Sequence, residues 1–500
     1  MNAEFRLAAQ PVLDRLHPIQ REDVFLLLDS PTLSVFSVEP GVLETVRLYH
    51  QGSPLDQALE RTGLEVEGFQ DSLDKIRASV ESRQRGQEKA RAMFEEGLRC
   101  ASYLDTLYVF TTDYCNLSCR YCYEIQNAFQ SPQSMTQQVA DALIRQIIVN
   151  PEIQKGISDA ERGMFRVIFF GGEPLLNVPI IEYLCARITR EKQRLGFKPG
   201  FNVITNGTLI NKPILELLSQ YRMRVTVSLD GEQHLHDRYR VFKNGRGSYD
   251  LVIRNWDTLV AERDRGRIPF IAFEATITRA TLTESSMTQT VQHLMTLRPN
   301  AVMTAMAAFP PDHPEHLTIN QSVTDDEFGA WESILLSSLN EGRFVYHEKL
   351  YKLLRAIMTK NIMWNRPCLG GVATYAITAG GDVYPCGPLA GVGEFYMGNV
   401  LSDFPGERYF EVKNSILEAT HDADVRCSKC WARYLCINMC CYASNYFQAR
   451  SLTKFSVSEA ECSGRRKFME DFVALYGRLL KTRKAELIRY MKFPGLFPNS

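Results

Sequence analysis

No apolar run in the 500-residue chain approaches the roughly 18 residues that a membrane-spanning helix requires. Residues 301–309 are among the longest such runs, and they stop at Pro310-Pro311. Charge of one sign is also lacking, because 57 Lys and Arg face 58 Asp and Glu for a formal net charge of −1. No global field then draws a polyanion, so neither nucleic acid nor a membrane is expected as a partner. The amino terminus, Met1-Asn2-Ala3-Glu4-Phe5-Arg6, opens no continuous apolar stretch, so no secretory signal is expected. Repeats and low-complexity tracts are missing too. With 45% hydrophobic and 23% charged residues the composition is that of an ordinary globular protein, and the length suggests about three domains.

What the chain has in quantity is cysteine, 13 in all. Without an export signal these read as metal or redox ligands in a reducing compartment rather than as a disulfide framework, and a cytoplasmic location is expected.

Residues 1–95 read as a separate unit. Residues 5–13, 24–28 and 33–37 are short apolar or β-branched runs, divided by Asp29-Ser30-Pro31 and closed by Glu39-Pro40-Gly41, the punctuation of a three-stranded meander. Three helical stretches follow, carrying Val42, Val46 and Leu48, then Leu55, Ala58 and Leu59, then Phe69, Leu73, Ile76 and Val80. Residues 82–91 are charge-dense and read as a helix extension or a linker. From Leu104 onward strands alternate with amphipathic helices, the strands being 107–110, 165–170, 201–204, 224–229 and 270–277. Such alternation builds βαβ units on a parallel sheet, and chemistry collects at the carboxyl ends of its strands. Residues 324–360 look helical. From Cys368 the chain is rich in Gly and Cys with little periodic structure, as where metal ligation rather than a core holds the fold. The expected spans are 1–95, 96–345 and 346–500.

Directly after the strand ending at Phe110 comes Asp113-Tyr114-Cys115-Asn116-Leu117-Ser118-Cys119-Arg120-Tyr121-Cys122. A C-x3-C-x2-C loop offers three thiolates to a cubane that ordinarily takes four, which leaves one iron open. Zinc with a fourth ligand, or buried thiols, are the plainer alternatives. This motif resembles that of the radical S-adenosylmethionine (radical SAM) enzymes, with Tyr121 as their aromatic residue. The resemblance spans about residues 104–310 and implies an α/β fold with a partial (β/α)6 barrel, in which SAM chelates the open iron of a [4Fe–4S] cluster held by Cys115, Cys119 and Cys122. It further implies that Gly171-Gly172-Glu173-Pro174 meets the SAM amino group. Asn206 ends a later strand, and Ser228, Asp230 and Arg240 are expected at the ribose and carboxylate. Each of these short motifs taken alone is an ordinary turn or loop cap; their order along the chain carries the resemblance.

A second set reads C-x12-G-x4-C from Cys368 through Gly381 to Cys386, then C-x2-C-x5-C-x3-C over Cys427, Cys430, Cys436 and Cys440, then Cys462. A zinc ribbon accounts for the central block but not for all seven. The pattern resembles the SPASM extension of radical SAM enzymes, which implies two auxiliary [4Fe–4S] clusters, the first at Cys368, Cys386 and Cys440 and the second at Cys427, Cys430, Cys436 and Cys462. Two closed cubanes need about eight thiolates, so seven leave one auxiliary site open. Residues 369–375 hold none of the extra cysteine seen in sulfatase-maturing relatives. Cys441 is either the missing ligand or a spare thiol; Cys100 and Cys185 lack ligand spacing, and Cys185 reads as core. The segments 375–386, 395–400 and 430–436 look like those of maturases that form thioether bridges in ribosomal peptides, although Asn438-Met439 stands where many relatives have glycines.

The first unit resembles a winged-helix-like RiPP recognition element, whose sheet edge binds a leader peptide; a structural cap is the alternative. The expectation is therefore an enzyme that modifies a ribosomally made precursor peptide, forming cysteine sulfur-to-carbon thioethers through a 5′-deoxyadenosyl radical. Its cofactors would be SAM and three [4Fe–4S] clusters, and flavodoxin or ferredoxin its electron donor. Carbon–carbon cross-linking, epimerisation and sulfatase maturation use the same machinery. A zinc-containing peptide-binding chaperone is the non-enzymatic alternative.

Overall fold

The computed structural model describes residues 3–100, 104–122, 132–150, 153, 165–195, 198–307, 313–317, 320–341, 345–360, 370–418, 425–436 and 458–492. At the amino end lies an antiparallel sheet in the order β1-β2-β3, built from Leu16–Arg21, Val24–Asp29 and Ser34–Ser37. Residues 5–13 are not its first strand, contrary to the sequence expectation. They belong to the helix Ala3–Leu13, because Phe5, Ala9 and Leu13 recur every fourth residue and put one helical face into the core shared with Leu27, Val46 and Phe69. Leu16–Arg21 takes the strand's place, and its Pro18 is tolerated because β1 is an outer strand. Helices Pro40–His50, Leu55–Thr62 and Val66–Cys100 follow, the last running unbroken through residues 82–91.

The centre is a parallel sheet whose strands follow chain order: β4 (Thr106–Thr112), β5 (Phe165–Gly171), β6 (Pro199–Thr205), β7 (Arg224–Ser228), β8 (Phe270–Ile277) and β9 (Ala301–Met306). Helices such as Val178–Leu195, Lys212–Gln220 and Tyr249–Asp264 connect them. Burial on both faces explains unbroken apolar strings such as Val167-Ile168-Phe169. β9, the edge strand, is only partly buried, and its short apolar run shows no alternation that would mark a strand.

Downstream of Cys368 the expectation of little regular structure is corrected. β10 (Thr374–Ile377) pairs parallel with β4, and β11 (Val383–Tyr384) turns back antiparallel on β10, giving eight strands in the order β11-β10-β4-β5-β6-β7-β8-β9. A backbone ladder thus ties this segment to the central sheet. The helix Glu459–Thr482 packs between the amino-terminal sheet and the helix Gln321–Glu341. Phe468 meets Phe328 and Trp331 edge-on, and a Cβ on Gly477 would stand 2.7 Å from Leu26 Cδ1. Arg21 reaches Glu470 at 2.9 Å and also pairs with Asp471, while His17 stacks on Trp431 with ring centroids 3.7 Å apart. Among the described residues no helix is long and apolar enough to cross a membrane.

Candidate functional site

The loop bearing Cys115, Cys119 and Cys122 leaves the carboxyl end of β4 and is stitched to the chain that follows helix Gln233–Tyr239. Ser118 N donates to Val241 O at 2.8 Å and Arg120 N to Tyr239 O at 3.1 Å, and Cys122 N closes a turn on Cys119 O at 3.1 Å. This antiparallel pairing puts Cys119 and Tyr121 on one face, beside Arg240. Leu117 N points at Cys115 Sγ from 3.4 Å, Asn206 Nδ2 lies 3.8 Å from the same sulfur, and Arg240 Nη1 lies 4.0 Å from Cys119 Sγ. Burial pushes the Cys119 thiol up, and the Arg240 charge opposes it. These donors favour thiolates, so the set fits a cubane held by three cysteines.

The two glycines of the next motif serve the same loop. Gly171 has φ +122°, and a Cβ there would lie 2.4 Å from Thr112 O; on Gly172 it would lie 2.4 Å from Tyr114 O. Only glycine lets β5 close on β4 here, through Gly172 N to Thr112 O at 2.9 Å and Glu173 N to Tyr114 O at 2.8 Å. Glu173 turns inward. Its fully buried carboxylate accepts from Leu175 N at 3.1 Å, Thr205 Oγ1 at 2.8 Å and Asn206 N at 2.8 Å, tying the ends of β5 and β6 together. Burial pushes its carboxyl up to about 7 against those three bonds. Pro174 opens the short turn Pro174–Asn177, where its carbonyl accepts from Thr111 Oγ1 at 3.2 Å.

Asn206 donates to Asn116 Oδ1 at 2.9 Å, and its own Oδ1 accepts from Thr208 N and Oγ1 at 3.0 and 2.6 Å. At the end of β7, Ser228 is partly buried opposite Glu274 in the ladder. Asp230 is buried and organises its surroundings: it accepts from the Tyr121 hydroxyl, from Arg240 Nε at 3.0 Å and from Thr276 N at 2.9 Å. Arg240 also lies over the Tyr121 ring at 5.3 Å. Asp230 N donates to His236 Nδ1 at 3.3 Å, so the ring proton sits on Nε2, which faces Ser248 Oγ at 2.9 Å. Burial lowers the His236 pKa to about 4, keeping this positioning group neutral. His236, Ser248, Thr276, Asn116 and Thr208 have no site role in the sequence reading. The first of them stands inside the His236-Asp237-Arg238-Tyr239-Arg240 string and is the one that sequence could have flagged. Outside the loop a cleft of about 580 Å³ opens, lined by Arg120, Arg238, Tyr239, Arg279, Glu284 and Glu315.

The second cysteine set is not gathered on this loop. Cys386 follows β11, which runs back antiparallel, so it returns to the level of the first half of β4, away from Cys115. Gly381, with φ +93°, makes the tight turn between β10 and β11. Cys427 and Cys430 share one turn, with Cys430 N to Cys427 O at 3.0 Å, and Cys436 N bonds Ala432 O at 2.7 Å. Cys462 lies in the first turn of helix Glu459–Thr482. Arg426 and Arg466 act electrostatically on Cys462, Arg466 also on Cys430, and Arg465 on Cys436. Arginines thus stand near Cys430, Cys436 and Cys462, with Glu459 and Glu461 opposing them at Cys462, and their charge suits thiolate ligands. Cys368, Cys440 and Cys441 lie outside the described residues, and Cys185 is buried in the core as expected. Among the described residues no three His, Cys, Asp or Glu side chains converge as on a single metal ion; the thiolates of a cubane bind separate irons.

Residues 109–264 match the family model described as the radical SAM superfamily. The chain is 27% identical over 188 residues to the radical SAM cyclopropyl synthase TigE of Paramaledivibacter caminithermalis, an alignment that covers 36% of each protein. It is 22% identical over 341 residues to the cysteine-type anaerobic sulfatase-maturating enzyme of Clostridium novyi, covering 65% of this chain and 84% of that one. The solved structure of native anSMEcpe with bound AdoMet and the Kp18Cys peptide shares the fold, with a TM-score of 0.58 at 19% identity over 75% of this chain and 98% of that one.

Proposed function

We propose, with the radical SAM domain at residues 109–264 as the premise, that this chain is a radical SAM peptide maturase that joins cysteine sulfur to carbon in a ribosomally made precursor peptide. The observation that carries the reading is the loop of Cys115, Cys119 and Cys122, closed over the carboxyl end of the sheet with Arg240 and Asp230 at its inner face. When bound, a reduced cluster and SAM supply a radical able to take hydrogen from an unactivated carbon. The chain's own part is placement. Cys115, Cys119 and Cys122 hold three irons and leave one for SAM, Asp230 fixes Arg240 and Tyr121 beside it, and Gly171 and Gly172 admit the backbone. Ser228 and Asn206 complete the expected cofactor contacts.

Cys368, Cys386 and Cys440, and Cys427, Cys430, Cys436 and Cys462, hold two auxiliary [4Fe–4S] clusters, and one open site there takes the substrate thiolate. Flavodoxin or ferredoxin supplies the electron. The amino-terminal unit binds the leader peptide along β3, which lies at a sheet edge; Val38 N bonds Phe25 O at 3.1 Å, so by alternation the N–H groups of Val35 and Ser37 point outward. The spans 1–95, 96–345 and 346–500 carry leader binding, radical chemistry and auxiliary clusters in that order.

The peptide substrate is supported by the peptide named with anSMEcpe. The name of the Clostridium novyi relative favours a second reading, oxidation of a sulfatase side chain. Co-expression with a Cys-rich precursor, followed by mass spectrometry and thiol alkylation, separates the two. A thioether removes two hydrogens and one alkylatable thiol per bridge, because joining C–H and S–H as C–S is a two-electron oxidation. A modified peptide that keeps all its thiols alkylatable refutes the thioether, and absence of SAM turnover by the iron-loaded protein refutes the enzyme.

A further inference from the structure

The least explained buried charge lies beside the second cysteine set. Arg465, at the i+3 position from Cys462 on helix Glu459–Thr482, is 8% exposed. Its Nη1 pairs with the buried Glu327 of helix Gln321–Glu341, whose other oxygen is 4.0 Å from Lys349 Nζ. Its Nε has no hydrogen-bond partner among the described residues. A guanidinium N–H left unpaired in the interior is costly, and such a donor normally has an acceptor. The neighbours at i−3 and across the turn are sulfur-bearing: Cys462 lies on the same helix face, and Cys436 is within electrostatic reach.

We propose that Arg465 is a positioning residue for the second auxiliary cluster, its Nε–H donating to a cluster sulfur and its fixed charge favouring the reduced form. This rests on the reading of Cys427, Cys430, Cys436 and Cys462 as ligands. Burial opposes the Arg465 charge, but Glu327, together with the buried Glu461 at i−4 and Cys436, more than compensates, so the guanidinium stays charged. Hydrogen bonds to sulfur and nearby positive charge both raise the potential of an iron–sulfur cluster. Glu327 anchors the guanidinium through Nη1 and leaves Nε for the cluster.

The test compares Glu327→Gln, Arg465→Lys and the double change Glu327→Gln with Arg465→Met, in which Glu327 is not left as a buried carboxylate without its guanidinium. Each is made in a chain whose Cys115, Cys119 and Cys122 are Ala, so that auxiliary signals are read alone after anaerobic loading with iron and sulfide. Potentiometric titration followed by electron paramagnetic resonance is expected to show one auxiliary midpoint more negative in the double variant than in Glu327→Gln. Arg465→Lys, which keeps the charge opposite Glu327 but lacks Nε–H, should give a midpoint more negative than the parent's, and it decides the matter if the double variant loses the cluster. Equal midpoints in the double variant and Glu327→Gln, and in Arg465→Lys and the parent, overturn the role of Arg465. If the parent protein takes up no auxiliary iron, the reading of the four cysteines fails, and this inference with it.

Discussion

Replacing Gly172 by Ala tests how the cysteine loop is held. The added methyl would lie 2.4 Å from Tyr114 O, 2.6 Å from Tyr114 C and 2.8 Å from Asp113 O, all backbone atoms that no rotamer change can move aside. Restoring ordinary contact requires a retreat of about 1 Å by the segment that leads into Cys115. That retreat weakens two hydrogen bonds, Gly172 N to Thr112 O and Glu173 N to Tyr114 O. Two such bonds at about 0.5–1.5 kcal/mol each, with roughly 1–3 kcal/mol of overpacking, give a loss of about 2–6 kcal/mol. Urea unfolding followed by circular dichroism should therefore show a lower midpoint. A misplacement of about 1 Å at the reacting centre should cost SAM cleavage by the iron-loaded protein about a hundredfold. Gly68→Ala is the control, since Gly68 is exposed in helix Val66–Cys100 and a Cβ there would have nothing within 4 Å; it should gain up to about 1 kcal/mol. A Gly172→Ala protein with the parent's midpoint and cleavage rate would refute the close-approach explanation.

Cys115→Ala, Cys119→Ala or Cys122→Ala should abolish SAM cleavage, whereas Cys427→Ala, Cys430→Ala or Cys462→Ala should spare part of it and stop peptide modification; 5′-deoxyadenosine release and peptide mass measure the two separately. Ser37→Pro removes an outward N–H from β3 without taking a bond from the β2–β3 ladder, and it should weaken precursor binding about tenfold by fluorescence anisotropy. Unchanged affinity would remove β3 as the docking edge. Burial holds the pKa of His236 at about 4 in the fold against an ordinary histidine value of 6.5, so its contribution to stability is full above pH 6.5 and is lost as pH falls through 4. The parent should lose about 3 kcal/mol more than His236→Gln across that window, measured by urea unfolding; parallel pH profiles would contradict the buried, neutral ring.

The spacing of Cys115, Cys119 and Cys122, the central strands and the motif at Gly171-Gly172 are local patterns, and they were legible because each is written within a few consecutive residues. Helix Ala3–Leu13 was written there too, in the fourfold recurrence of Phe5, Ala9 and Leu13, but the short apolar runs obscured it. Partners distant in sequence were not legible. Tyr121 and Asp230 are 109 residues apart, Asn206 and Cys115 are 91, and Arg465 and Glu327 are 138. No periodicity encodes such pairs; they meet because parallel strands bring their carboxyl ends to one rim and because helix Glu459–Thr482 is buried between two layers. The same holds for β10. Four residues have too little pattern to announce a strand, and Thr374–Ile377 became one because the open edge of β4 offered unpaired backbone groups to satisfy. Which chemistry the cysteines can carry follows from residue type and spacing in the chain. Which groups surround them, and that Glu173 faces the interior while Arg240 faces Cys119, was decided only by tertiary packing, where burial makes every charge find a partner.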